Sequence, residues 1–231
     1  MMDPLRALIV EDSADDAELL VRELRRGGYD TSYARVETAE AMMAALSTRT
    51  WDIVFSDFTM PHFNAFGALA ELRKSGQDIP FIVVSGTVGE DRAVSLMKAG
   101  AHDYVLKDNL RRLVPAVERE LREAQMRAER GEAEQALRDA EARYRLLFEQ
   151  SPYGVVLVDL DTGTTVEANE RASQQLGYTR DEFAALAVFD YETLETPEET
   201  AQHMETIRRE GRDDFDTFVT CGSTGLPCRL H

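Results

Sequence analysis

Five short apolar runs alternate with four amphipathic stretches across the first 110 or so residues, and no other feature restricts the fold as much. The runs are Leu5–Val10, Tyr29–Val36, Asp52–Ser56, Ile79–Ser85 and His102–Leu106. The stretches between them carry helical signals. In Ser13–Arg26 the apolar positions Ala17, Leu20, Val21 and Leu24 recur at helical spacing, and Gly27-Gly28 stops the pattern. Thr38 caps the next stretch through Leu46, Asn64–Lys74 ends at Gly76, and Glu90–Lys98 ends at Gly100. Strands and helices alternating at this spacing predict an α/β fold, a doubly wound five-stranded parallel sheet with helices on both faces.

In such a sheet, ligands bind beyond the carboxyl ends of the strands, where the winding reverses. The residues predicted there are Glu11-Asp12 after strand 1, Asp57 after strand 3, Ser85-Gly86-Thr87 at strand 4 and Lys107-Asp108 after strand 5. Carboxylates gathered at one edge repel and raise each other's pKa, which a hard divalent cation relieves. Mg²⁺ suits such a site, because it takes few carboxylates, keeps waters and accepts phosphate oxygens. The chain has only three lysines, Lys74, Lys98 and Lys107, against 23 arginines. A lysine at that edge supplies a compact point charge for Asp57 or for a phosphoryl group on it.

Glu11-Asp12, Val54–Pro61 with Asp57 inside it, Val83–Thr87 and Asp103–Asp108 together resemble the two-component receiver domain, flavodoxin-like in fold, over about residues 3–125. That resemblance implies that Asp57 is the phosphoacceptor. It implies Mg²⁺ bound by Asp12, Asp57 and the Thr59 carbonyl, with Glu11 acting directly or through water. Ser85 and Thr87 would contact the phosphoryl group, Lys107 would neutralise it, and Tyr104 would be the switching aromatic. Glu11 departs from the commoner Asp at its position.

From Asn109 to about Phe148 strong helix formers dominate, with Pro115 near the start and Gly131 the one glycine. The seam Val114, Val117, Leu121, Ala124, Ala128 and a second seam, Met126, Ala133, Leu137, Ala140, Tyr144, Leu147, follow 3/4 spacing with a phase shift near Gly131. A parallel homodimeric coiled coil is the expectation, weakened by Leu121→Asp; the bland alternative is a helix packed on its own domain.

Tyr144–Val156 and Glu167–Phe183, with Asn169 and the Leu176-Gly177-Tyr178 step, resemble the start of a PAS sensory domain. Strands are expected at Gly154–Asp159 and Thr164–Ala168, joined at Asp161-Thr162-Gly163, with helices at Asn169–Leu176, after Thr179, and at Pro197–Arg209, and strand-like segments at Asp214–Cys221 and Leu226–His231. The family's sheet order, 2-1-5-4-3, leaves strand 5 missing, so a C-terminally truncated, partial α+β PAS domain is expected. No PAS ligand is named by the sequence. His203 reads as a solitary surface residue, and Cys221 and Cys228, seven apart, are not a metal pair.

The expected domains are therefore 1–112 (receiver), 113–145 (helical linker) and 146–231 (PAS). A net charge of −17 argues against nucleic acid or an anionic membrane as partner. Two cysteines and no signal-peptide pattern point to a cytoplasmic, reducing setting. The expected partner is a sensor histidine kinase or phosphotransfer protein, and the chain is expected not to be an enzyme itself. The rival readings are an aspartate-nucleophile phosphatase of the haloacid dehalogenase type and a degenerate receiver serving as a dimer scaffold. The phosphatase needs a second Asp two residues after the nucleophile, where Thr59 stands, and a nucleophile on strand 1. The intact Asp12, Asp57, Ser85 and Lys107 set argues against the scaffold.

Overall fold

The computed structural model describes residues 2–86, 90–191, 195–212, 217–220 and 227–230. The chain divides into two compact units, Met1–Ala133 and Glu134–His231.

In the first unit, β1 (Asp3–Val10), β2 (Tyr29–Val36), β3 (Ile53–Asp57), β4 (Phe81–Ser85) and β5 (Asp103–Leu106) form one parallel sheet in the order β2-β1-β3-β4-β5. The helices between them are α1 (Ala14–Arg26), α2 (Ala39–Thr48), α3 (Ala65–Ser75) and α4 (Glu90–Lys98). Thr38 caps α2 through its side-chain oxygen, as the sequence predicts, and Ser13 and Asn64, expected as the first residues of their helices, stand just before α1 and α3 and cap them in the same way. Gly28 takes the positive φ after α1, at 98°, rather than Gly27.

Alternation along each strand divides the apolar residues between the two faces. Leu8, Val10, Val54, Phe81 and Val83 pack with α2, α3 and α4 residues such as Met42, Leu69 and Leu96. Leu5, Ala7, Ile9, Phe55, Ile82, Val84 and Val105 pack with Leu20, Leu24, Leu113 and Val117. The sheet is thus covered on both sides, as a doubly wound fold requires.

Two expectations for the helical stretch need correction. A helix does not run from Asn109: residues Lys107–Arg112 make 3₁₀ turns, Asn109 sits at φ −132°, ψ 52°, and α5 (Leu113–Glu149) starts after them. The first seam is not free for a partner chain. Leu113, Ala116 and Val117 are buried in the unit's own core, and Val114 and Leu121 pack against it. An apolar stripe at 3/4 spacing fits a sheet as well as a second helix, and here the sheet takes it. The core of the first unit therefore extends past residue 112. The second seam is different: Met126, Leu137, Tyr144 and Leu147 are all exposed, and α5 runs helical through Gly131.

In the second unit, β6 (Val156–Val158) and β7 (Thr165–Ala168) form an antiparallel hairpin with Gly163 at φ 71° in its turn. The helices α6 (Glu170–Leu176), α7 (Arg180–Ala184), α8 (Val188–Tyr191) and α9 (Pro197–Glu210) follow, and β8 (Thr217–Thr220) pairs antiparallel with β9 (Pro227–Leu230). The short α8 was not foreseen. Thr179 forms the expected capping box with Glu182. Ala168, Ala172, Leu176, Phe183 and Tyr191 make the core, with the Phe183 and Tyr191 rings stacked at 5.2 Å. His203 is not solitary: Nε2 lies 3.2 Å from Glu195 Oε1. Cys221 lies outside the described residues.

Candidate functional site

The strand order reverses between β1 and β3, so the ends of these strands frame the crevice where such sheets bind ligands. Asp57 is the last residue of β3, and Glu11 follows β1 directly. Lys107 is the first residue after β5 and reaches across to both.

Lys107 Nζ lies 2.8 Å from Glu11 Oε2, 2.9 Å from Asp57 Oδ1 and 2.5 Å from Asp16 Oδ2. Burial works to lower the pKa of this ammonium, but its bonds to Asp16, Glu11 and Asp57 carry it above the usual lysine value. Glu11 is 1% exposed. Burial raises its pKa, and the neighbouring Asp57 charge adds to the rise, while bonds from Lys107 and the Ser13 N–H pull the other way. Asp57 presents one oxygen to Lys107, and the other accepts the Thr59 N–H at 2.8 Å. Only 10% of its side chain meets solvent.

The other expected residues are distributed as follows. Asp12 is exposed at the end of β1, and Thr59 is exposed in the loop after β3. Ser85 is buried at the end of β4, one residue beyond Val84, which pairs with Asp57. Tyr104 sits in β5 against the α2–α4 face of the core. Thr87 lies outside the described residues. The structure thus gathers Glu11, Asp57 and Lys107 into one contact cluster.

Two members of the site were not found from sequence. Asp16 lies in the first turn of α1, where an acid is already explained by the helix dipole, so its charge raised no question. Arg35, on β2, donates through Nη1 to the carbonyls of Glu11 at 2.8 Å and Asp12 at 3.0 Å, and to Glu37 Oε2 at 3.2 Å. It braces the turn that carries both acids.

The donor chemistry fits a small hard cation. One ammonium faces three carboxylates, and Asp12 adds a fourth on the same turn as Glu11. All are oxygen donors with negative charge left over, which Mg²⁺ accepts readily. Among the described residues no three such side chains already stand as a metal cage, because Lys107 occupies the centre of the cluster.

Residues 7–118 match the response regulator receiver domain model, and residues 142–211 match a PAS domain model. The transcriptional regulatory protein PrrA of Mycobacterium leprae is 36% identical over 102 residues, covering 44% of this chain and 43% of that protein. The chain thus spans under half the length of that relative. Response regulator MprA of a Mycobacterium species is 31% identical over 190 residues, covering 79% of this chain and 70% of that protein. A crystal structure of NtrX from Brucella abortus matches with a TM-score of 0.50 at 26% identity, covering 58% of this chain and 30% of that one.

Proposed function

The chain belongs to the response regulator family, and from that premise we propose that its receiver takes up a phosphoryl group on Asp57 and passes the change through α5 towards the PAS half. The observation that carries this reading is the Asp57 carboxylate at the end of β3, sheltered from water, with one oxygen on Lys107 and the other on the Thr59 N–H.

An Asp57 oxygen attacks the phosphorus of a phosphohistidine on a sensor kinase or phosphotransfer protein, or of a small donor such as acetyl phosphate. A P–O bond forms as the P–N bond, or the P–O bond to acetate, breaks, and the electron pair leaves with imidazole or acetate. Asp12, Asp57 and the Thr59 carbonyl, with Glu11 directly or through water, would hold Mg²⁺, which would supply charge neutralisation at the transferring oxygens. Lys107 holds one of those oxygens from the other side, in a site where water is scarce and its charge counts for more. The Ser85 hydroxyl then donates to the phosphoryl group, and Tyr104 turns into the space that Ser85 leaves. Arg35 fixes the Glu11 and Asp12 carbonyls, so the acids keep their aim while charge is redistributed. The chain in this reading is a phosphoacceptor, not an enzyme.

The exposed seam Met126, Leu137, Tyr144, Leu147 supports a parallel homodimer along the outer part of α5. The net charge of −17 favours protein partners over nucleic acid. Among the described residues no helix is long and apolar enough to cross a membrane.

The test is labelling with acetyl phosphate and Mg²⁺, read by intact mass. One phosphoryl group on the wild-type chain and none on Asp57→Asn is the expected result. Label retained by Asp57→Asn overturns the assignment.

A further inference from the structure

An ammonium has three N–H donors. Lys107 gives all three to carboxylates, and the shortest bond goes to Asp16, at 2.5 Å, rather than to Asp57, at 2.9 Å, or Glu11, at 2.8 Å. Asp16 is well placed to hold it. Its backbone N–H donates to the capping hydroxyl of Ser13 at 3.2 Å, so the residue is fixed in the first turn of α1. Its side chain is 39% exposed, against 10% for Asp57, so it brings a partly solvated charge to the rim of a sheltered site.

We propose that Asp16 is a positioning residue that holds the Lys107 ammonium towards α1 and so slows the uptake of a phosphoryl group by Asp57. The proposal rests on Asp57 being the phosphoacceptor. Two effects act in the same direction. To meet an incoming phosphoryl oxygen, Lys107 must loosen a charge-assisted bond, the stronger kind of hydrogen bond. The Asp16 charge also repels an anionic phosphodonor arriving at the same rim. At about 5 Å, one unit charge changes the energy of another by about 0.8 kcal/mol even at the dielectric constant of water, which is about fourfold in rate. Asp16 is thus a brake built beside the site. It does not touch the reacting atoms, and its influence passes through Lys107.

The experiment uses the full chain with acetyl phosphate and follows the rate of Asp57 labelling by intact mass at a series of Mg²⁺ concentrations. Asp16→Asn keeps the shape and the Ser13 bond and removes the charge. It should label about fourfold faster at saturating Mg²⁺. Asp16→Ala should also be fast, and Asp16→Glu should return the slow rate. A purely structural role for Asp16 would instead make the alanine variant slow. Asp16→Asn labelling no faster than wild type overturns the proposal. Labelling lost in Asp16→Asn and restored only by a far higher Mg²⁺ concentration also overturns it, because Asp16 is then a metal ligand and not a tether. If the wild-type chain takes no label, or Asp57→Asn takes it, the phosphoacceptor reading itself has failed, and that result is distinct from either of the others.

Discussion

Replacing Asn169 with alanine should loosen the second unit more than any other single polar change in it. Asn169 is fully buried, and its side chain makes four hydrogen bonds. Nδ2 donates to the Phe148 carbonyl at 2.8 Å and the Tyr153 carbonyl at 3.0 Å. Oδ1 accepts the Val155 N–H and the Ala172 N–H, both at 2.8 Å. One amide thus joins the last turn of α5, the loop before β6 and the first turn of α6. The bonds to Phe148 and Ala172 are buried, and leaving such groups unpaired costs about 1–3 kcal/mol each. The bonds to Val155 and Tyr153 are partly buried, so water can replace them at about 0.5 kcal/mol each. The total is about 3–7 kcal/mol, centred on about three to four decades in an opening equilibrium.

Hydrogen exchange read by mass spectrometry over residues 155–172 measures this opening. Asn169→Ala should accelerate exchange there roughly a thousandfold, with the first unit unchanged. Asn169→Asp separates the two halves of the side chain: it keeps the acceptor for Val155 and Ala172 but turns an oxygen towards the Phe148 and Tyr153 carbonyls. It should still accelerate exchange by at least about tenfold. Acceleration of less than about tenfold in Asn169→Ala would refute the reasoning, because the four bonds would then carry no more than an exposed set.

Two further outcomes test the first unit and the helix. His102 Nδ1 accepts the Phe81 N–H at 3.0 Å, and burial pushes the imidazole pKa below its usual value against the raising influence of Glu120. The fold therefore holds the neutral ring, so its stabilising contribution is present above about pH 6.5 and is lost as pH falls through the lower folded value. Urea midpoints followed by the single tryptophan, Trp51, should drop between about pH 7.5 and 5.5. His102→Asn should flatten that slope, and an equal slope in the variant would exclude His102 as its source. On α5, Leu137→Asp should convert a homodimer to monomer in light scattering. Leu121→Asp should instead destabilise the first unit, since the half-buried Leu121 packs against that unit's own core. A wild-type chain that is monomeric at micromolar concentration would remove the dimer.

The parts of the fold legible from sequence are those set by neighbours along the chain. Ser13, Thr38, Asn64, Asn169 and Thr179 each cap a helix predicted at that place, because capping needs only a short polar side chain and the next three residues. The five strands are legible because β-branched and aromatic runs sit between those caps and glycines. Asp57, Glu11 and Lys107 are found by asking what stands at strand ends, which strand order alone determines. Asp16 and Arg35 are not legible, because each acts through a partner distant in sequence. Arg35 reaches the Glu11 and Asp12 carbonyls because β2 lies beside β1 with Arg35 opposite Ile9, a register no local signal gives. The partner of the stripe Val114–Val117–Leu121 is not legible for a related reason. Its 3/4 spacing specifies that one side of the helix is apolar and leaves open what covers it.

Cover by the sheet changes how a signal could leave the receiver. The inner end of α5 is held by the sheet through Leu113, Ala116 and Val117, so a shift of the sheet near β5 acts on the helix directly. Its outer end is held differently. The Phe148 carbonyl is among the last four of the helix, which have no partner within it, and Asn169 Nδ2 satisfies it. Each unit thus grips one end of α5, with buried side chains at the start and a buried amide at the finish. Between Gln125 and Leu147 every side chain is exposed, and a Cβ at Gly131 would meet open space. Arg127 pairs with Asp78 at 2.9 Å and the Tyr144 hydroxyl donates to Glu167 Oε2 at 3.0 Å, but no side chain of that middle section is buried, so its stability is close to that of a helix in water, marginal at this length and lowered by about 1 kcal/mol at Gly131 relative to alanine. The middle section is where a displacement of either end is absorbed at least cost. Association with a second α5 through Met126, Leu137, Tyr144 and Leu147 would stiffen that section, and on the proposed reading would make a change at Asp57 easier to pass along the helix.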